Sequence, residues 1–208
     1  MSKPNPIFEP GSQDSVLKNI LGITSRSLIE IAETVALKNA AEELLGIYDA
    51  GHRFTADDIC FMHKVWLGRI YEWAGEYRTR DMEKSGFSFA PPKRIEPLMK
   101  ALETGPLQRH TPCNFKSADR VVKALSEVCI ELYLIHPFIR GNSRLARLLV
   151  TLMAAQAGLP LLDFSDFSGK PERYRNALES GLQDDLEPME ELFGLIIRRS
   201  MKAGSVIG

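Results

Sequence analysis

Apolar residues recur along most of this chain at intervals of three and four, the spacing that lines one face of an α-helix. From Ser27 to about Tyr48 they fall at 28, 31, 35, 41, 44 and 45. From Ala118 to Ile135 they fall at 121, 122, 125, 128, 132 and 135, and from Glu187 to Met201 at 189, 192, 193, 196 and 197. Residues 14–22 predict a further short helix. The segment from Thr55 to Asp58 has the form of a capping box and predicts a helix over 56–68. Another is expected near 93–103, and Pro171 suits the first turn of one over 171–181.

The breaks between these stretches are as informative. Pro137 disfavours helical geometry at His136, so the 118–135 helix should stop there. Asn142 or Ser143 then supplies an N-cap for a helix running to about Ala157, closed by Gly158. Residues 104–116 hold Gly105, Pro106 and Pro112 and read as a loop. Residues 76–90 depart from the helical period. β-forming residues flank a Lys-Ser-Gly turn signal there, which predicts a small β-hairpin ended by Pro91 and Pro92. The expected architecture is all-α with this one hairpin. A lead-in over 1–13 precedes a single helical domain over 14–203, and 204–208 form a tail.

Composition narrows the class. Of 208 residues, 44% are apolar and 25% charged, ordinary values for a globular domain. The formal net charge of -1 argues against a broad basic surface for nucleic acid. Cys60, Cys113 and Cys129 are odd in number with no C-x-x-C pair, which argues against a disulfide framework or a zinc site and fits a reducing compartment. His52, His63, His110 and His136 show no metal-ligand spacing. The first dozen residues lack an apolar signal core, and the uncharged run from Leu148 to Leu162 is too short to span a bilayer. A cytoplasmic protein without a membrane partner is the simplest account, and delivery by a system that reads no N-terminal signal stays compatible with it.

The candidate chemistry lies between the two longest apolar stretches, in His136-Pro-Phe-Ile-Arg-Gly-Asn-Ser-Arg144. A helix N-terminus leaves backbone N–H groups without partners and carries partial positive charge, so an anion binds there readily. Gly141 lets a phosphate approach the backbone. Asn142 and Ser143 can cap or donate, and Arg144 and Arg147, one turn apart, suit bidentate phosphate contacts. No acidic residue lies between Glu131 and Asp163, whereas Arg140, Arg144, Arg147 and His136 all do. An arginine on a helix is ordinarily solvated, and a histidine before a proline ordinarily caps a helix. Found together, they point to a phosphate site with a general base beside it.

This segment resembles the signature of the Fic family, His-Pro-Phe-x-acid-Gly-Asn-Gly-Arg-x-x-Arg, at His136, Pro137, Phe138, Gly141, Asn142, Arg144 and Arg147. The stretches Val16 to Ile23, Ile70 to Arg78, Gly86 to Pro92, Ile95 to Pro97, Tyr174 to Leu178 and Asp185 to Pro188 are similar to other segments of that family, in order. The resemblance implies a helical Fic fold and transfer of AMP from ATP to a tyrosine, threonine or serine hydroxyl of a target protein. It implies His136 as the general base, with Phe138, Arg140, Gly141, Asn142, Ser143, Arg144 and Arg147 around the nucleotide phosphates. It also implies a flap, Ser85, Gly86, Phe87, Ser88, Phe89 and Ala90, that clamps the target backbone as an added strand.

Two positions depart from the signature. The family's acidic residue binds the Mg²⁺ that bridges the phosphates, and Arg140 stands there instead. Arginine ligates no cation, though it neutralises phosphate charge itself. The second glycine is Ser143. These changes leave two alternatives beside AMP transfer: a domain that binds nucleotide or a partner without transfer, and transfer of a different phosphate-containing group. No glutamate here is followed by Gly or Asn, so the self-inhibitory motif of many relatives is missing from this sequence. The resemblance then implies a separate small antitoxin protein that sets a glutamate against Arg147.

Overall fold

The computed structural model describes residues 7–84, 87–165 and 171–204. Among the described residues, seven longer helices carry the fold: α1 (Arg26–Ile47), α2 (Ala56–Leu67), α3 (Pro92–Leu102), α4 (Ala118–Ile135), α5 (Asn142–Gln156), α6 (Pro171–Gly181) and α7 (Glu187–Gly204). One antiparallel hairpin, β1 (Glu83–Lys84) and β2 (Phe87–Ser88), pairs Glu83 with Ser88 and Lys84 with Phe87. The expected all-α class with a small hairpin is therefore what the chain forms, and the helices begin and end close to the residues that the apolar spacing marks.

The chain divides into two compact units, residues 1–47 with 57–76, and residues 48–56 with 77–208. In the first, the indole Nε1 of Trp66 on α2 donates to the Glu33 carbonyl on α1 at 2.8 Å. The Tyr71 hydroxyl donates to the buried Glu33 carboxylate at 2.6 Å. Residues 14–22 do not form the expected short helix. The chain there folds back on itself: Phe8 bridges Leu17, and the N–H groups of Glu9 and Lys18 donate to the carbonyls of Val16 and Ile7, both at 2.8 Å. Asn19 explains the difference. Its side chain accepts the Ile23 N–H and donates to the Ile23 carbonyl, each at 2.9 Å, and such a local loop competes with helix.

In the second unit, α4 is the central element, with α3, α5, α6 and α7 packed against it. Val121, Leu125, Val128, Leu132 and Ile135 are buried, as the helical spacing requires, and so are Ala124, Cys129 and Ile130 on the flanks of the same stripe. Residues 104–116 are not a loop throughout. The helix continues past α3 as a widened π turn over Glu103–Leu107, then an α turn over Gln108–His110. Pro106 has no N–H to give an ordinary helical turn, and the wider turn absorbs the defect while Leu107 stays fully buried. The run ends at Thr111, whose extended backbone (φ -124°, ψ 135°) is the one that the following Pro112 favours.

Candidate active site

The segment from His136 to Asn142 joins α4 to α5. With helical geometry disfavoured before Pro137, His136 adopts the left-handed region (φ 51°, ψ 56°), uncommon for a residue with a side chain. Its N–H still donates to the Leu132 carbonyl at 3.2 Å, which closes α4. Phe138 is fully buried, and Asn142 clips its backbone on both sides. Asn142 Oδ1 accepts the Phe138 N–H at 2.9 Å, and Nδ2 donates to the Phe138 carbonyl at 2.7 Å. Asn142 is thus not the N-cap expected of it, and neither is Ser143. Gly141 holds that place at φ 91° and ψ -8°, with its carbonyl accepting the Leu145 N–H at 2.9 Å. A glycine is needed for that backbone, and it adds no side chain over the first turn of α5.

The imidazole of His136 is packed and oriented. It stacks on Phe89 (centroids 3.8 Å apart, planes at 19°) and meets the Tyr133 ring edge-on at 5.5 Å. Nδ1 lies 3.2 Å from the Tyr133 carbonyl. A carbonyl only accepts, so Nδ1 carries the proton and the basic lone pair is on Nε2. The residue is 7% exposed. Of the expected flap residues, Phe87, Ser88, Phe89 and Ala90 form β2 and its exit, and the Phe89 N–H donates to the Met82 carbonyl at 3.0 Å. Ser85 and Gly86 lie outside the described residues.

Arg140 and Arg144 are half-exposed beside the start of α5. Arg147 is more enclosed. Its Nε donates to the Ser143 carbonyl at 3.3 Å, its guanidinium lies 5.9 Å from the Phe164 ring centre, and burial lowers its pKa. Ser143, in the first turn of α5, and Tyr174 of α6 share the lining of one cavity. Burial raises the Tyr174 phenol well above its ordinary range and the Cys129 thiol up to about 12, so both stay neutral. A cavity of about 310 Å³ opens here, lined among others by Phe87, Phe89, Tyr133, Ser143, Tyr174 and Glu179. That volume is within the range of small-ligand pockets, and its wall is mainly aromatic and aliphatic with a few polar groups. Tyr133 and Phe89 form part of this wall and also touch His136. Tyr133 is a contributor that the apolar spacing of α4 did not mark, because it lies off the buried stripe. The cavity gives Tyr174 a role that its sequence alone conveyed only through the family resemblance.

No group of three or more His, Cys, Asp or Glu is placed to hold a metal ion among the described residues. The position that the resemblance assigns to a metal-binding acid carries Arg140. These residues do not fit a resident divalent cation.

Residues 53–154 match the model of the Fic/DOC family. Protein adenylyltransferase VbhT of Bartonella schoenbuchensis is 28% identical over 197 residues, 95% of this chain and 39% of its own length. Probable protein adenylyltransferase y4lH of Sinorhizobium fredii is 27% identical over 187 residues, 89% of this chain and 92% of its own. The chain thus spans well under half of the first relative and nearly all of the second. Among solved structures, the VirB-translocated effector BepC of Bartonella tribocorum, with bound AMPPNP, superposes with a TM-score of 0.75 at 23% identity, covering 91% of this chain and 95% of that one. At that identity the likeness establishes a shared fold.

Proposed function

We propose that this chain, which matches the Fic/DOC family model over residues 53–154, is a protein adenylyltransferase of that family. The observation that carries this reading is His136, held with its lone pair on Nε2 where α4 hands over to the arginine-bearing start of α5. In the proposed reaction Nε2 takes the proton from a tyrosine, threonine or serine hydroxyl of a target protein. The hydroxyl oxygen attacks the α-phosphorus of ATP, the bond from that phosphorus to the bridging oxygen of the β-phosphate breaks, and pyrophosphate leaves. The first-turn amides of α5, with Gly141 admitting the phosphates to the backbone, stabilise the charge that develops. Arg140, Arg144 and Arg147 neutralise the outer phosphates, and Phe138 and Asn142 fix the loop that presents them. The aromatic cavity beside Phe89 suits a purine ring. The flap from residue 85 to 90 holds the target backbone as an added strand.

The relatives' names support this activity, and they describe those proteins. Arg140 favours a metal-free variant of the reaction, since an arginine beside the phosphates would repel the Mg²⁺ that the family's acid holds. The same residue supports a second reading, a domain that binds nucleotide without transferring it or that uses another phosphate-containing donor. A small antitoxin setting a glutamate on Arg147 is the partner that would restrain the enzyme. No helix among the described residues is long and apolar enough to cross a membrane. We place the protein in the cytoplasm, with delivery into another cell as the alternative that its translocated structural neighbours suggest.

The test is incubation of the purified protein with α-labelled ATP, with and without Mg²⁺, alone and in bacterial lysate, beside His136→Ala. Loss of the general base is expected to lower label transfer by at least about 100-fold. Equal label in wild type and variant would remove His136 from this role. Nucleotide binding with no adduct on any protein would select the second reading.

A further inference from the structure

We propose that Arg78 is a positioning residue that locks the candidate base and the flap into one rigid unit. The inference rests on the reading of His136 as the base. Arg78 is 2% exposed. Its Nε donates to the His136 carbonyl at 2.8 Å, one terminal nitrogen to the Arg80 carbonyl at 2.6 Å, and the other to the Ala90 carbonyl at 2.5 Å. Its own backbone N–H donates to the Pro137 carbonyl at 2.8 Å. Arg80 precedes β1 and Ala90 follows β2, so one side chain grips the hairpin on both sides and the catalytic loop as well.

A guanidinium is planar, and its donors point in fixed directions. Three carbonyls bound to it therefore keep a fixed mutual geometry. His136 needs such a restraint. A left-handed backbone at a non-glycine residue persists only where its surroundings over-determine it, and the Arg78 bond fixes the carbonyl of that very residue. Stability alone explains the arginine poorly. Burial lowers its pKa, with the Asp81 carboxylate opposing the shift, and a buried cation held by carbonyls is no more stabilising than a well-packed apolar residue. What an apolar residue cannot do is hold the flap exit and the base at a set distance. The ring stack between Phe89 and His136 needs that registry, because Phe89 directly precedes Ala90.

The experiment uses Arg78→Lys and Arg78→Gln, each with fewer or differently directed donors than the guanidinium. Three readouts are followed: the His136 tautomer by ¹⁵N NMR, hydrogen exchange of the Phe89 amide, and label transfer from α-labelled ATP. In a folded variant, the Nδ1–H signature of His136 should give way to a tautomeric mixture. Phe89 amide exchange should rise by about 10-fold or more while the amides of α7 keep their protection. Transfer should fall by about 10- to 100-fold with AMPPNP affinity unchanged within about twofold. A shift at His136 without one at Phe89, or the reverse, would overturn the coupling. Exchange rising equally in α7 in both variants would reduce Arg78 to a structural residue. The tautomer and exchange readouts need no catalysis, so they decide the inference even if the wild-type protein transfers nothing.

Discussion

Cys129 is fully buried on α4 with its Sγ 4.0 Å from the Tyr174 hydroxyl, and burial pushes its thiol up to about 12. Burial likewise pushes Cys113 up to about 11, whereas Cys60 is half-exposed. A raised thiol pKa means that the reactive thiolate forms only as pH climbs toward that value. At pH 8 the native protein should therefore show one fast thiol, at Cys60, and release the other two only on unfolding. Titration with a chromogenic disulfide in the presence and absence of denaturant checks this, and rapid modification of Cys129 in the native state would contradict its enclosure beside Tyr174. Sequence conveyed such detail unevenly. The residue type and spacing of His136 marked a candidate base next to a candidate anion site, and the structure puts that histidine at the junction of α4 and α5. Nothing in the sequence alone told that Asn142 would turn back onto Phe138 or that Arg78 would collect three carbonyls. The Asn142 clip depends on the shape of the loop it closes, and the Arg78 bond to His136 depends on a carbonyl 58 residues away in sequence.

At the scale of elements, the helices were legible because each combined an apolar period with a chemical stop. α4 ends where Pro137 forces it to, and α6 starts at Pro171, whose missing N–H is harmless in a first turn. The exceptions fell where packing or a competing local hydrogen bond overrode the apolar period. Pro106 reads as a breaker, yet burial of Leu107 carries the helix through it as a π turn. Residues 14–22 have apolar spacing, yet Asn19 and pairing with the preceding segment win. A close approach between elements is equally invisible until they are assembled. A Cβ at Gly181, the last residue of α6, would lie 2.7 Å from Cγ2 and 2.8 Å from Cδ1 of Ile130 on α4. Gly181→Ala should thus overpack this contact and destabilise the protein by about 1–3 kcal/mol. Chemical denaturation measures it directly, and a smaller cost of Gly181→Ala in an Ile130→Ala background, which lacks both clashing atoms, would show that the clash is the cause. Unchanged stability in the single variant would mean that α6 shifts freely on α4, which would also loosen Tyr174 in the cavity wall.

Over the whole molecule, charge is nearly balanced, with 26 basic and 27 acidic side chains, and the balance hides a separation that the sequence shows plainly. The stretch between Glu131 and Asp163 holds three arginines and no acid, and it folds into the loop and helix that carry His136. Screening limits the reach of exposed charges to about 8 Å at physiological ionic strength, so a phosphate at the start of α5 responds to these local arginines rather than to the net charge. In a site that lacks clustered carboxylates among the described residues, a divalent cation has little to bind. The wild-type protein should accordingly bind AMPPNP with an affinity that changes by less than about twofold between EDTA and Mg²⁺. Arg140→Glu removes one positive charge and adds a hard oxygen ligand at the same place. That variant should lose about 10-fold in affinity in EDTA and recover it with Mg²⁺. Calorimetric titration of both proteins under both conditions separates the possibilities. A strong Mg²⁺ requirement in the wild type would mean that the nucleotide phosphates carry the cation in and that Arg140 points away from it. Indifference of both proteins to the metal would mean that residue 140 lies outside the phosphate field, which would move the burden of charge neutralisation to Arg144 and Arg147.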